Sequence, residues 1–303
     1  MSDNTYDLAI IGGGVSGLTA AIYSGRYQVK TTIFTDSFGG LASGADVIVN
    51  YPGFLKVGGM ELLTKITDQV KALNIPINYD KVVDISKKDD GFVINTTSES
   101  IKAKKVLLAI GMRNRKLTIP REDELTGKGV HYCTTCDAAF YKNKITAVVG
   151  GSDAAVTSAL LLADIATKVY IIYRKDKLRA EPMWLESLKE HNNIEVIYNA
   201  EVKELIGEQR LEKIKLSTDQ ELDVNGLFIE IGTVPDKEFL SKLDIELNEF
   251  GEIVVDKSQK TSIPGIYASG DATNATDLKQ IITSEAQGAI AAYNIYKELK
   301  SNK

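Results

Sequence analysis

Apolar residues form short runs, and the first of them, residues 8–11, has no polar interruption, as in a strand that is buried on both faces of a parallel sheet. We predict strands at residues 8–11, 31–34, 106–111, 145–149, 169–173, 227–232 and 265–271. The apolar spacing changes to the helical period at residues 18–27, 156–165 and 278–299. Polar stretches at 87–90 and 102–105 are interpreted as hairpin turns and solvated faces. This alternation of strands and helices predicts an α/β fold.

The stretch GGGVSG connects the first predicted strand to the first predicted helix and fits the pattern GxGxxG. In that pattern Gly12 permits a tight turn, Gly14 lets the backbone approach a pyrophosphate, and Gly17 allows close packing of helix on strand. Inside a strand–turn–helix–strand unit the motif indicates a dinucleotide site; a glycine turn that binds nothing is the alternative. Asp36 follows the second strand, about 20 residues after Gly17, where an acidic residue would hold a ribose hydroxyl. Thr35 is an equal candidate for that place.

A second unit of the same kind begins near residue 145. Its first strand is followed by GGSDAA, in which Gly150, Gly151 and Ala155 keep the small residues of the motif. Ser152 stands where the motif has its second glycine, and a side chain there would crowd a close-lying pyrophosphate. The two motifs are too far apart for a small repeat, so they indicate two related domains.

Basic residues follow the last strand of this second unit, in the stretch YRKDKLR. Arg174, Lys175 and Arg179 would pair with a 2′-phosphate, so NADP suits this site better than NAD. Asp176 keeps NAD open, and a solvated basic turn is the alternative that involves no ligand.

The only two cysteines, Cys133 and Cys136, lie in the stretch HYCTTCDAAF. Two cysteines cannot build a disulfide-rich scaffold, and a structural zinc site usually needs four ligands. His131 and His191 are the only histidines, and their spacing from the cysteines is wrong for zinc. Inert buried thiols are the remaining alternative, but the CxxC loop favours a reversible disulfide. We therefore predict redox exchange and no metal.

Composition and charge restrict the class of partner. Of the 303 residues, 44% are hydrophobic and 25% are charged, as in an ordinary globular protein. The formal net charge of −5 gives no reason to expect nucleic acid or an anionic membrane as a partner. No apolar run approaches the ~18–20 residues of a membrane-spanning helix. The first residues, MSDNTYDLAIIGGG, lack the basic region of a signal peptide, so we expect a cytoplasmic protein.

Taken in order, the motifs resemble those of the low-molecular-mass thioredoxin reductases over nearly the whole chain. The stretches that carry the resemblance are GGGVSG, FGGLASGADVIVNYPG, AIG, HYCTTCDAAF, GGSDAA, YRKDKLRAE, TSIPGIYASGDA and KQIITSEAQGAIAA. The resemblance implies two Rossmann-like nucleotide-binding domains, the second inserted into the first. A discontinuous FAD-binding domain would comprise residues 1–113 and 242–303. A pyridine-nucleotide-binding domain that carries the CxxC would comprise residues 114–241.

The resemblance also implies which residues bind the cofactors. For FAD they are Gly12, Gly14, Gly17, Asp36, Gly40, Asn50, Gly111, Asp271 and Gln280. For NADPH they are Gly150, Gly151, Ser152, Ala155, Arg174, Lys175 and Arg179. Within the FAD set, Asp271 would lie at the ribityl chain, and Asn50 and Gln280 would lie near the isoalloxazine. Gln280 would precede the last helix, whose dipole favours negative charge at its N-terminus.

The reaction implied by the resemblance passes electrons from NADPH through FAD to a Cys133–Cys136 disulfide and then to thioredoxin. Cys136 would face the flavin, and Cys133 would attack the disulfide of thioredoxin. Asp137 would carry the proton of the departing thiolate, with a helix cap as its alternative role. The family resemblance also implies a homodimer.

The chain departs from the family pattern at several positions. They are Leu41, Ala138, Tyr173, Lys175 and Ser152. Ser152 has the largest consequence because it belongs to the site of the hydride donor. Two alternatives therefore stay open: a related enzyme that uses NADH, ferredoxin or a deazaflavin as donor, and a catalytically silent nucleotide-binding redox sensor.

Overall fold

Strands and helices alternate along most of the chain, as predicted. The structure, a computed structural model, describes residues 5–45 and 47–301; Asp46 of the FGGLASGADVIVNYPG stretch and both ends of the predicted FAD domain lie outside these residues. The strands are β1 (Thr5–Ile11), β2 (Thr31–Phe34), β3 (Ile77–Asn78), β4 (Val82–Lys88), β5 (Gly91–Thr96), β6 (Ser100–Leu108), β7 (Arg113–Asn114), β8 (Val130–His131), β9 (Ile145–Val149), β10 (Lys168–Tyr173), β11 (Ile194–Tyr198), β12 (Val202–Ile206), β13 (Lys213–Leu216), β14 (Glu221–Asp223), β15 (Gly226–Ile229), β16 (Thr233–Val234) and β17 (Ile266–Ala268). The helices are α1 (Val15–Arg26), α2 (Gly59–Ala72), α3 (Glu122–Leu125), α4 (Thr134–Asp137), α5 (Asp153–Ala163), α6 (Pro182–Leu188), α7 (Lys237–Leu240) and α8 (Ile281–Ser301). Short 3-10 segments occupy Gly40–Gly44 and Ala138–Tyr141.

The first of two compact units comprises Met1–Arg113 and Val234–Lys303. Its main sheet has the order β3-β2-β1-β6-β5-β4, and β17 also pairs with β6. β1 is parallel to β2 and β6, and β6 is parallel to β17. The carboxyl ends of these four strands therefore meet at one edge of the sheet, where open α/β sheets bind their ligands.

Both faces of β1 are covered, which explains its uninterrupted run of apolar residues. Leu8 and Ile10 belong to the core cluster that α1, α2 and α8 fill from one side. Ala9 and Ile11 belong to a second cluster, with residues of β4, β5 and β17. The polar stretch 87–90 comprises the end of β4 and the turn to β5, and 102–105 alternates between more exposed and more buried positions in β6. The first stretch thus includes a hairpin turn and the second has a solvated face, as predicted.

The second unit, Asn114–Thr233, contains a parallel sheet in the order β11-β10-β9-β15-β8. α5 packs on this sheet, and Val148, Ile171 and Phe228 are fully buried in the same cluster. β12, β13 and β14 form a separate antiparallel sheet. The CxxC segment follows β8, the second glycine motif follows β9, and the basic turn follows β10. All three therefore lie at the carboxyl edge of one sheet.

The chain returns to the first unit at Val234, earlier than the predicted boundary at residue 242. α7 accounts for the difference, because Phe239 and Leu240 are buried in the cluster that contains β4 and β5. A segment whose apolar side chains fill the core of the first unit belongs to that unit. The two units, each with parallel strands covered by helices, confirm the predicted α/β fold class.

No helix within the described residues is both long enough and apolar enough to cross a membrane.

Candidate active site

The two cysteines form a disulfide at the carboxyl edge of the second unit's sheet. Cys133 and Cys136 are bonded to each other, with their Cα atoms 5.3 Å apart. Cys133 precedes α4, and its Sγ accepts a hydrogen bond from the backbone N–H of Cys136 at 3.2 Å. Cys136 is exposed and Cys133 is partly exposed. An N–H donor at Sγ stabilises negative charge there once the disulfide opens, so the geometry favours Cys133 as the thiolate.

A histidine connects the strand before the cysteines to the acid after them. His131 is only 7% exposed, and its ring stacks on Phe228 with the ring centroids 5.2 Å apart. Its Nδ1 lies 2.8 Å from Oδ2 of Asp137, and its Nε2 lies 2.6 Å from the hydroxyl of Tyr141. Both ring nitrogens of His131 are therefore engaged by named partners.

Asp137 is the last residue of α4, and its carboxylate is partly exposed. It makes no capping hydrogen bond to the 3-10 segment that follows, and Cys133 instead caps α4. The alternative prediction of a helix cap at Asp137 is therefore wrong. The carboxylate turns back to His131, because the two-residue gap between β8 and α4 brings both ends of the CxxC segment together.

A second acidic side chain contacts α4. Glu230 follows β15, and its Oε1 accepts hydrogen bonds from Ser158 of α5 at 2.9 Å and from Thr134 of α4 at 3.4 Å. Burial raises the pKa of Glu230 to about 7, although the hydrogen bonds from Ser158 and Thr134 favour the carboxylate. This carboxyl group thus changes its charge near neutral pH, and it contacts the helix of the CxxC and the helix of the second glycine motif.

The raised pKa of Glu230 predicts a pH-dependent stability of the second unit. The pKa is about 7 in the folded chain against an ordinary value of 4.5, so the unfolded chain loses its proton first as the pH rises. The free energy of unfolding should therefore fall between these two pH values, by about 3 kcal/mol for this group. Glu230→Gln should remove that contribution, because its amide oxygen still accepts from Ser158 and carries no charge.

Urea unfolding at pH 4.5 and pH 7.5, followed for wild type and Glu230→Gln, measures this difference directly. Glu190→Gln is a matched control, because Glu190 is an exposed glutamate of the same unit. An equal pH dependence in wild type and Glu230→Gln would contradict the prediction.

The first glycine motif lies between β1 and α1. Gly12 has φ +114°, and a Cβ there would lie 2.1 Å from the carbonyl oxygen of Ala109; a Cβ at Gly17 would lie 2.0 Å from that of Gly12. A Cβ at Gly14 would meet nothing closer than the carbonyl oxygen of Gly39, at 3.8 Å. Two glycines are thus needed for the tight turn and close packing, whereas Gly14 borders open space.

The loop after β2 completes this cradle. Gly39 forms a parallel bridge with Gly14, and a Cβ at Gly40 would meet only the Cα of Gly14, at 3.8 Å. α1 has no side-chain cap and no acidic residue in its first turn. An uncapped helix N-terminus beside an open glycine-lined cradle fits a pyrophosphate.

Thr35 and Asp36, the two candidates for the ribose, differ in their surroundings. Thr35 is buried and donates its hydroxyl hydrogen to the carbonyl oxygen of Ser37 at 2.7 Å. Asp36 is exposed, and its carboxylate lies 3.8 Å from Arg113. Asp36 therefore keeps oxygens that a ribose can reach. Gly111 follows β6 at the same edge, and nothing lies within 4 Å of a Cβ built there.

Residues predicted near the isoalloxazine and ribityl chain lie close together although they are far apart in sequence. Asn50 donates from Nδ2 to Oε1 of Gln280 at 3.1 Å. Gln280 directly precedes α8. Asp271 follows β17, and its Oδ1 accepts a hydrogen bond from Ser284 of α8 at 2.6 Å. The start of α8 is thus connected to both predicted FAD contacts.

The second glycine motif has the same geometry at its first position. Gly150 has φ +147°, and a Cβ there would lie 2.2 Å from the carbonyl oxygen of Glu230. Gly151 lies against Tyr173, whose ring would be 2.5 Å from an added Cβ. Ser152 precedes α5 with φ −95°, an ordinary value for a residue with a side chain, and makes no capping bond. Ala155 is fully buried at the third position.

The basic turn lies beside this motif. The backbone N–H of Arg179 donates to the carbonyl oxygen of Gly151 at 2.7 Å. Arg174, Lys175 and Arg179 are exposed, and no ion pair with a carboxylate is found for them within the part of the chain that the structure describes. Asp153 begins α5 and accepts the N–H of Glu181 at 2.6 Å, which holds the turn at the start of α5. Three exposed cations thus stand where a 2′-phosphate of NADP is expected.

Sequence reasoning did not identify the partners of Asp137 or the role of Glu230. The sequence suggests His131 only as a zinc ligand, with the wrong spacing, and predicts no role for Tyr141. A signal for Glu230 exists, because a charged residue interrupts the apolar run 227–232. Within residues 5–45 and 47–301, the structure contains no cluster of three His, Cys, Asp or Glu side chains arranged for a metal.

Comparison with known proteins places this geometry in a family. The family model described as pyridine nucleotide-disulphide oxidoreductase matches residues 6–288. The chain belongs to this family. It is 36% identical over 298 residues to the thioredoxin reductase of Treponema pallidum, covering 96% of each chain.

Solved structures of this oxidoreductase family agree with the fold. The thioredoxin reductase of Lactococcus lactis superposes with a TM-score of 0.92 at 35% identity, covering 98% of this chain and 99% of that one. The thioredoxin reductase of T. acidophilum gives 0.91 at 32% identity, with the same coverage of both chains. The family resemblance predicted from the motifs is confirmed.

Proposed function

We propose that this oxidoreductase is a thioredoxin reductase, which takes electrons from NADPH through FAD to its Cys133–Cys136 disulfide and reduces thioredoxin. The observation that carries this proposal is the disulfide itself, at the carboxyl edge of the sheet that also bears the second glycine motif. An accessible CxxC disulfide with an adjacent acid, in a chain of this family, is the arrangement that dithiol exchange requires. Relatives that carry the name thioredoxin reductase support the choice of thioredoxin.

We assign FAD to the first unit and NADPH to the second. The open cradle of Gly14 and Gly40 and the uncapped start of α1 support the FAD pyrophosphate site, with Asp36, Asp271 and Gln280 along the cofactor. When bound, FAD supplies two-electron exchange between a hydride of NADPH and a disulfide. The residues of the second glycine motif and its basic turn would hold the donor.

The residues of the CxxC segment carry out the dithiol chemistry. Two electrons open the disulfide and leave one thiolate on each sulfur; the Asp137 carboxyl group gives its proton to the departing Cys136 sulfur. The Cys133 thiolate attacks one sulfur of the thioredoxin disulfide, which forms a mixed disulfide and releases a thiolate on thioredoxin. The Cys136 thiol returns its proton to Asp137 and attacks Cys133, which re-forms the disulfide and releases reduced thioredoxin.

We further propose a cytoplasmic homodimer. Apolar side chains of the first unit are exposed on neighbouring helices, among them Tyr23 of α1 and Ile290 and Tyr293 of α8. Exposed apolar groups of this kind mark protein contacts when they adjoin one another. Both cysteines belong to the redox pair, as expected in a reducing compartment. Sedimentation at the mass of a single chain would contradict the homodimer.

Donor and acceptor assays test the proposed function. NADPH should bleach the bound flavin rapidly, and the reduced protein should turn over oxidised thioredoxin. Rapid reduction of the flavin by ferredoxin or a deazaflavin, with NADPH inert, would show that the donor is not NADPH. The proposed dithiol chemistry would be unaffected. Flavin reduction without turnover of any disulfide substrate would favour a redox sensor.

Arg174→Ala tests the choice of NADPH in the same assay. Loss of one charge-assisted contact to the 2′-phosphate should weaken NADPH binding by roughly 10- to 150-fold, since such a contact is worth about 1.5–3 kcal/mol. Binding of NADH, which lacks that phosphate, should change little. Lys177→Ala, at an exposed cation of the same turn, is the matched control. If Ser152 instead prevents the pyrophosphate from binding, both nucleotides act slowly and Ser152→Gly improves them.

A further inference from the structure

We propose that His131 is a positioning residue for the dithiol chemistry: its Nε2 accepts from Tyr141, and its Nδ1–H holds the Asp137 carboxyl group beside the cysteines. The proposal rests on the proposed function for the reaction that His131 assists. It assigns a role to a residue that lies outside the CxxC motif.

The contact between His131 and Asp137 joins the two ends of the CxxC segment. His131 ends β8 and Asp137 ends α4, so both cysteines lie between the two contacting side chains. The imidazole is buried and stacked on Phe228, which is fully buried in the sheet. A ring that is held from behind by the sheet cannot easily rotate away from Asp137. The carboxylate is therefore held by a rigid partner, although it lies partly in solvent.

The tautomer of His131 follows from its two partners, of which the Asp137 carboxylate is an acceptor only. Burial, and then the charge of Asp137, raises the pKa of Tyr141 to about 12, so its hydroxyl keeps its proton at neutral pH. The Asp137 carboxylate can only accept, so Nδ1 is the nitrogen that carries hydrogen, and Nε2 of the neutral ring accepts from the Tyr141 hydroxyl at 2.6 Å. Nδ1–H then donates to Oδ2 of Asp137 at 2.8 Å. The chain of donors runs in one direction, from Tyr141 through His131 to Asp137.

Other charged groups in the described part of the chain do not contact His131 directly; the nearby ones contact Tyr141 or α4. Lys144 lies over the ring of Tyr141, with its Nζ 5.4 Å from the centroid. Glu230 contacts Thr134 of α4, and Phe228 of β15 contributes no charge. The Asp137 carboxylate is thus the only acidic group in direct contact with His131 among the described residues.

The consequence concerns the proton that accompanies opening and closing of the disulfide. With Oδ2 held by the imidazole, Oδ1 is the oxygen that gives its proton to the Cys136 thiolate and later takes it back from the thiol. His131 neither gains nor loses a proton in this exchange. Its effect on the rate therefore acts through Asp137 alone, and it disappears when the Asp137 carboxyl group is removed.

The test is a double-mutant cycle on the FAD-loaded protein. His131→Ala should lower kcat for thioredoxin by roughly 10- to 150-fold, the usual effect of losing a hydrogen bond to a charged group, with KM unchanged. His131→Asn, whose amide N–H can replace Nδ1–H, should recover part of that loss. In an Asp137→Asn background, His131→Ala should have no further effect. An equal loss in both backgrounds would show a structural role and overturn the proposal.

A second readout is independent of thioredoxin and of the electron donor. In protein reduced with dithiothreitol, the pH profile of iodoacetamide alkylation should move on His131→Ala and should not move on His131→Ala in the Asp137→Asn background. Tyr132→Phe is the control, because it removes the hydrogen bond from Tyr132 to Glu122 beside Cys133 without touching Asp137. If wild type fails to reduce thioredoxin, the proposed function fails while this arm still tests His131. A profile that His131→Ala leaves in place would overturn the proposal.

Discussion

Cys133→Ser and Cys136→Ser should each abolish thioredoxin reduction. The two sulfurs form the disulfide of the described chain, and no other cysteine is present to replace either of them. FAD content should stay normal in both variants, because the proposed FAD residues lie in the first unit. The measurements are turnover of oxidised thioredoxin with the physiological donor and the flavin absorbance of the purified variants. Turnover near the wild-type rate in either variant would show that the proposed electron path is wrong.

The two variants should differ in a trapping experiment. Cys136→Ser keeps Cys133, whose sulfur is placed as the attacking thiolate by the N–H of residue 136. With a thioredoxin that carries one activated cysteine, this variant should form a stable mixed disulfide, because the resolving thiol is missing. Cys133→Ser should form much less of it. Trapping by Cys133→Ser alone would reverse the assigned roles of the two cysteines.

Local patterns predicted the parts of the fold that depend on neighbours in sequence. The apolar runs became parallel strands because both faces of strands such as β1 are buried. The glycine motifs became tight turns because Gly12 and Gly150 need positive φ and tolerate no Cβ. The prediction missed α2, although Leu62, Ile66 and Val70 recur at helical spacing and are buried. It also missed the antiparallel strands β12 to β14, which have only three to five residues each. The position of α7 depended on burial of Phe239 and Leu240 against distant strands, which no local pattern reports.

In the candidate site, too, local patterns predicted the residues that are adjacent in sequence and missed the contacts that depend on the tertiary structure. The CxxC and Asp137 were found because they are adjacent, and Asn50 and Gln280 were paired with FAD only through the family resemblance. The contact of His131 with Tyr141 depends on the path of the backbone from β8 through α4. The positions of the two residues in the sequence do not specify that path. The pKa of Glu230 is raised by burial and lowered by hydrogen bonds from Ser158 and Thr134, which belong to separate elements.

Asp137 is the residue whose role the structure changes most. The prediction offered a proton carrier or a helix cap, and the side chain contacts His131 instead of a helix N-terminus. Asparagine has an oxygen that can also accept Nδ1–H of His131, so Asp137→Asn can keep this contact while it removes the acid. Its replacement therefore separates chemistry from folding more cleanly than the sequence suggested.

Asp137→Asn should slow thioredoxin turnover by ~10²–10⁴-fold, the usual contribution of a general acid or base. The asparagine oxygen still accepts Nδ1–H of His131, whereas the amide cannot give a proton to the departing sulfur or take it back. Flavin reduction by NADPH and the midpoint of thermal unfolding should stay close to wild type. Asp164→Asn, at an exposed aspartate of the same unit, is the matched control and should leave dithiol exchange unchanged. A wild-type rate of turnover in Asp137→Asn would assign the proton to solvent, and a large loss of thermal stability would return Asp137 to a structural role.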